Sequence, residues 1–402
     1  MSVKSTLFLL AAVILFALYI QFGERTRETL DERKAAARMA FRFDPEVVRS
    51  LRIETPSGVY VLELTNTNWR IASPVQAPAD ASTILRMLDT LSSVRKSEVI
   101  TAEEQQSLQI DPAQYGFFSP RAQLSVDDGI APFTVLIGRD APGGKSMYLK
   151  RADMPDIIVA NRDLLSVLPA SVLDLRDRRL FSGQPGRVRR LEWTTRDQAF
   201  HASRNAEDQW NMDRPVQARA SGSAIRQWLE RIFEFRVLDF VAESVAAGSL
   251  YGFDEPAVQL AIFMENRPAP SVLKIGRAAD AGETTYFASM VGQDTVFTVE
   301  RAILDALKID SFELRDRQVV PIPAMNIQFI QISDGQRLLQ LVRNTQSVWE
   351  VTSPKRFVAH DQHVQRLLGA WTGAKVHRFL DPPAFNPGNA GATGATYSIR
   401  FA

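Results

Sequence analysis

The sequence predicts an α+β fold: tandem duplicated domains of largely antiparallel sheet with packed helices, behind an N-terminal transmembrane helix. Three observations carry that expectation. An apolar run lies near the start. A tryptophan and a following proline recur at separations of 141 and 139 residues, and further landmarks recur at nearly the same spacing. Within each interval, short β-rich runs surround a single amphipathic helical stretch.

The apolar run, Leu7–Phe22, reads LFLLAAVILFALYIQF and is broken only by Gln21. It is near the short limit for a helix that crosses a bilayer. No A-x-A site follows it at once, and the chain has no cysteine for lipoprotein processing. The expectation is an uncleaved anchor over 1–23, with a cleaved signal peptide as the runner-up, followed by a charged juxtamembrane stalk over 24–44. Arg25, Arg27, Arg33, Lys34, Arg38 and Arg42 follow the run. Taken literally, the positive-inside rule holds them in the cytoplasm, although large domains behind a first anchor translocate despite such charges.

The recurrence begins with Trp69, Trp210 and Trp349, each followed five residues later by a proline, Pro74, Pro215 and Pro354. Tyr115-Gly116-Phe117 with Pro120 returns as Tyr251-Gly252-Phe253 with Pro256. Ile137-Gly138-Arg139 returns as Ile275-Gly276-Arg277. Tyr148 is matched to Tyr286, and Leu175-Arg176-Asp177-Arg178 to Leu314-Arg315-Asp316-Arg317. The order of these matches divides the chain into repeat domains at 45–182 and 183–320 and a partial third at 321–402. The third is either reduced or cut short. Each full unit is long enough to bury a core of its own.

Within the first unit, Val59–Leu64 and Trp69–Ile71 read as strands separated by Asn66-Thr67-Asn68, a turn sequence. Ile84, Met87, Leu88 and Leu91 then form an i, i+3, i+4, i+7 stripe. It is repeated by Ile225, Trp228, Leu229 and Ile232 and by Val364, Leu367, Leu368 and Trp371. Asp80 and Ser221 stand where an N-cap is needed. Further strands follow at Ala122–Val126, Phe133–Ile137, Met147–Lys150 and Ile157–Ala160, with partners at the same register in the second unit.

Composition narrows function. The formal net charge is +1, with no long basic run, which gives no pull toward nucleic acid. Without cysteine there are no disulfides, thiolate metal sites or cysteine nucleophile. No phosphate loop and no Gly-x-Ser-x-Gly elbow occurs. His360 and His363 lie near a helix start where the other units have no histidine, so solvent-exposed helix entry is preferred to a metal site. The sequence nominates no catalytic, cofactor-binding or metal-binding residue.

The recurring polar residues have a folding role as their first explanation. Arg176-Asp177 and Arg315-Asp316 are expected to fasten the end of each unit to its sheet, with an anionic docking site as the other reading. Tyr115-Gly116 and Tyr251-Gly252 read as turns entering strands. Trp69, Trp210 and Trp349 are expected in the sheet core; exposed, they would instead offer stacking platforms to a glycan.

This ordered set of landmarks resembles a bacterial family catalogued as domain of unknown function 4340. The resemblance covers 45–320 well and 323–380 in part. It implies a membrane-anchored protein encoded beside a gliding-motility-type ABC transporter permease and its extracytoplasmic partner protein. The expectation that follows is a non-enzymatic scaffold or auxiliary subunit of such a complex, held at the inner membrane with its bulk in the periplasm. A periplasmic glycan- or lipid-binding module is the alternative.

Overall fold

The computed structural model describes residues 38–107, 112–244, 248–308, 310–379 and 398–401. The chain divides into two compact units, Met1–Arg178 and Arg179–Ala402.

The first unit is one nine-stranded sheet. Its elements are β1 (Ser50–Thr55), β2 (Gly58–Thr65), β3 (Asn68–Ser73), β4 (Ala77–Pro78), helix α1 (Ala81–Ser92), β5 (Lys96–Ile100), β6 (Ala122–Asp127), β7 (Phe133–Asp140), β8 (Ser146–Arg151) and β9 (Ile157–Asn161). The order is β4-β3-β2-β1-β6-β7-β8-β9-β5, and every pairing is antiparallel. Strand alternation sets the inner face. On β6, Ala122, Leu124 and Val126 are buried while Gln123, Ser125 and Asp127 stay half-exposed. Asp80 caps α1 by accepting from the Ser82 amide, and Ile84, Met87, Leu88 and Leu91 are the buried stripe.

α1 connects β4, at one edge, to β5, at the other. A flat sheet would hold those edges roughly 38 Å apart, whereas a 12-residue helix rises about 18 Å. The short links on either side of α1 make up the rest of the span. One apolar cluster runs from Leu51 and Ile71 through Leu88 to Ile137 and Leu149.

The second unit repeats this. Strands β10 (Val188–Thr195), β11 (Ala199–Arg204), β12 (Trp210–Arg214), β13 (Ala218–Arg219), β14 (Asp239–Ala242), β15 (Val258–Met264), β16 (Ser271–Ala278), β17 (Thr285–Met290) and β18 (Val296–Glu300) form a second nine-stranded sheet. Its order, β13-β12-β11-β10-β15-β16-β17-β18-β14, is that of the first. Helix α2 (Gly222–Glu234) takes the place of α1, capped by Ser221. A third, five-stranded sheet follows: β19 (Phe329–Ser333), β20 (Leu338–Arg343), β21 (Trp349–Ser353), β22 (Phe357–Val358) and β23 (Ser398–Phe401), ordered β22-β21-β20-β19-β23. Helix α3 (Asp361–Gly373) packs on it through Val364 and Leu368.

These findings correct the predicted class. The described chain is predominantly antiparallel sheet, arranged as three repeat-like modules rather than as an α+β fold. Among the described residues no helix is long and apolar enough to span a membrane. The long helices run to 12 or 13 residues, about 20 Å against the roughly 30 Å of a hydrocarbon core, and their apolar side chains face a sheet. The expected anchor at Leu7–Phe22 lies outside the described residues.

Candidate functional site

The recurring landmarks are packing devices. Trp69, Trp210 and Trp349 are buried in the three cores and offer no open face to a sugar ring. Tyr115 lies edge-on to Tyr148, with ring centroids 4.7 Å apart at 84°. Burial pushes its phenol pKa up, and Tyr148 and Glu98 add to the rise. Gly116 and Gly252 take φ of +82° and +79°, which glycine alone adopts without strain. The loop they open lies so close to the next strand that a Cβ on Gly138 would overlap the Tyr115 carbonyl oxygen. A Cβ on Gly276 would overlap that of Tyr251.

One sequence match moves by a residue. Tyr148 pairs with Val159 and Phe287 with Thr298, and both partners are the third residue of the last long strand. Tyr251 stacks edge-on against Phe287 at 5.1 Å. The counterpart of Tyr148 is therefore Phe287 and not Tyr286. Identity of residue type drew the sequence match; the aromatic contact, which Phe provides equally well, is what the fold repeats.

The two Leu-Arg-Asp-Arg segments act as latches along the outer edge of a sheet. In the first unit the Asp80 amide donates to the Leu175 carbonyl at 2.8 Å, and the Asp177 amide donates to the Pro78 carbonyl at 3.0 Å. Arg176 is buried between them, bridged to Ala79. In the second, the Ser221 amide donates to Leu314 at 2.7 Å and the Asp316 amide to Arg219 at 2.9 Å. Asp316 also lies 3.3 Å from the Arg219 guanidinium. Leu175 and Leu314 are fully buried. Each latch closes the edge made by β4 or β13 and covers the helix start. Backbone bonds take part in this fastening in both units, and in the second an Arg–Asp pair stands beside them.

The third module is built differently at that edge. The Ala359 amide donates inward to Trp349 at 2.8 Å, as Ala79 does to Trp69 and Ala220 to Trp210. The outward groups, the Val358 carbonyl and the His360 amide, meet no latch among the described residues. Phe357 and Val358 are 56% and 67% exposed. The turn before them differs too. Val75-Gln76 and Val216-Gln217 become Lys355-Arg356, both exposed. Nearby, a groove of about 530 Å³ runs past Asp334, Leu338, Ser353 and Pro354. The exposed side chains give a mixed apolar and basic surface. His360 and His363 stack at 4.6 Å at the start of α3. Among the described residues no group of three or more His, Asp or Glu is placed to hold a metal.

A second shallow concavity, of about 380 Å³, lies on the outer face of the first sheet and is lined by Ser50, Arg52, Ser125, Asp127, Thr134 and Asp153. Its polar groups are engaged with one another or with neighbours. The Ser125 and Thr134 hydroxyls are 2.9 Å apart, Arg52 meets Glu54 at 2.7 Å, and Arg151 meets Asp153 at 2.7 Å. The hydrogen bond from Arg151 holds the Asp153 carboxyl below its usual range. The second module places Arg190, Ala261 and Phe263 at corresponding positions.

The landmarks had marked the core and the latches. The exposed edge of the third module carries no landmark of its own, so sequence reasoning missed Phe357 and Val358. No curated protein matches the chain in sequence. The family model described as domain of unknown function DUF4340 matches twice, over residues 69–256 and 210–393, starting on Trp69 and again on Trp210, and the chain belongs to that family.

Proposed function

We propose that this protein is a non-enzymatic scaffold that holds partner proteins through its third module. In this reading it is an auxiliary subunit of an ABC-type transporter complex, working on the periplasmic side of the inner membrane. One observation carries the scaffold reading: among the described residues two modules close a sheet edge with an internal latch, and at the same edge of the third Phe357 and Val358 stand exposed. Exposed apolar residues on an edge strand, with charged residues beside them, suit a protein contact. The recurring aromatic and charged residues are already engaged in packing and latching, which leaves none of them as a nominated catalytic group. The transporter context is supported by the family resemblance and its implied permease neighbour.

The test is affinity purification of the full chain from its own host after mild detergent extraction, with mass-spectrometric identification of what accompanies it. The expected result is enrichment of a permease or its extracytoplasmic partner over a tag-only control. Repeated recovery of the chain alone contradicts the reading.

A further inference from the structure

We propose that the concavity on the outer face of the first sheet is a saccharide subsite, which takes neutral sugar rings of a glycan through their hydroxyl groups. This goes beyond the scaffold reading and does not rest on it. Register sets the geometry. Ser50 stands opposite Asp127, and Arg52 opposite Ser125, which is in turn opposite Thr134. Leu51, Leu124, Val126 and Val135, which alternate with them, are buried on the other face. The five polar side chains therefore share one outer face, about 5 Å apart from strand to strand. The bonds they make do not saturate them. Arg52 uses Nε on Glu54 at 2.7 Å, and Asp127 uses Oδ1 on the Gly129 amide at 2.8 Å. Among the described residues the Arg52 Nη groups, Asp127 Oδ2 and the Ser50 hydroxyl make no further bond. The Ser125 and Thr134 hydroxyls, 2.9 Å apart, keep one O–H between them.

Arg52 and Asp127 balance in charge, so the patch does not favour a charged ligand. A sugar hydroxyl both donates and accepts, so adjacent hydroxyls can give to Asp127 and accept from Arg52. An extended peptide needs an unpaired strand edge, and β1, β6 and β7 are each paired on both sides. The volume of about 380 Å³ is toward the small end of ligand sites, about 300–1,000 Å³. The second module keeps the register without the site. Ala261 and Phe263 replace Ser125 and Asp127, and Val272 replaces Thr134. There the Arg190 guanidinium lies over the Phe263 ring at 5.0 Å and pairs with Glu192. Folding of this sheet therefore does not require the polar set, which leaves binding as its reason. The Phe133 ring in the lining is buried under Arg151, 5.0 Å from its centroid. Binding is then polar, with a Kd of about 1 mM, the affinity that a few net hydrogen bonds supply.

The probes are maltotriose, cellotriose and chitotriose, each titrated onto the full chain and followed by saturation-transfer difference NMR. Saturable transfer to at least one of them is expected. The double variant Ser125→Ala/Asp127→Phe copies the residues that the second module already holds at this register, and should weaken binding at least tenfold. Asp127→Asn keeps an acceptor for the Gly129 amide and removes only the free carboxylate oxygen. It should weaken binding about tenfold, the size of one hydrogen bond to a charged group. Circular dichroism checks folding, and Asp127→Asn carries the test if the double variant does not fold. No saturable transfer to any of the three, or parental affinity in a folded variant, would overturn the subsite. Neither result bears on the co-purification test, and recovery of the chain alone in that test leaves the subsite standing.

Discussion

The Asp80 amide and the Leu175 carbonyl, on segments 95 residues apart in sequence, meet at 2.8 Å, and Ser221 and Leu314 repeat the bond at 2.7 Å. Each bond ties the end of a module back to the start of its central helix. The first two modules thereby close on themselves, and loss of the latch should be felt at the helix.

Truncating the leucine tests this first. Leu175→Ala and Leu314→Ala each remove a fully buried side chain from a core. Each should cost about 2–5 kcal/mol, measured by urea denaturation. In the same assay Leu338→Ala, at an exposed position of the third module, should cost less than about 0.5 kcal/mol.

The cap on α1 makes a pH-dependent prediction. Burial raises the Asp80 pKa, but hydrogen bonds from the Ser82 and Thr83 side chains and amides outweigh it, and the pKa lies below its usual range. A depressed folded pKa means that the carboxylate stabilises above its unfolded value, near 3.9, and loses that contribution as pH falls through the folded value. Asp80→Ala should cost about 1 kcal/mol at neutral pH. The melting-temperature gap between the parent and Asp80→Asn should close as the pH drops below about 4.

Glycine spacing gives a third prediction. Gly276→Ala would drive a methyl group into the Tyr251 carbonyl and should cost about 3 kcal/mol or abolish folding. Gly186→Ala meets nothing within 4 Å and should be near neutral. Comparing the denaturation midpoints of the two variants checks the packing of the Tyr-Gly-Phe loop against its neighbouring strand.

The sequence made the repeats and most of the elements legible, because period-2 strands and the i, i+3, i+4, i+7 stripe are local patterns. Trp69, Ile84 and Asp80 all occupy the places that local reasoning gives them. Strand order was not legible. β5 is a five-residue run with no fully buried residue, and its place beside β9, across the whole sheet from β4, depends on how far α1 reaches. The Tyr148 match slipped onto Tyr286 because identity outweighed register. The exposed edge of the third module was invisible for a different reason: among the described residues the His360 amide meets no partner, and such a group has no sequence signature.

The most direct test of the scaffold account is site-specific photo-crosslinking in living cells, with benzoylphenylalanine at Phe357 on the open edge and, as a control, at Leu85 on the solvent-facing side of α1. The account predicts one discrete adduct from position 357, identified by mass spectrometry as a transporter permease or its extracytoplasmic partner, and none from position 85. Absence of an adduct at 357, or the same adducts from both positions, would contradict it.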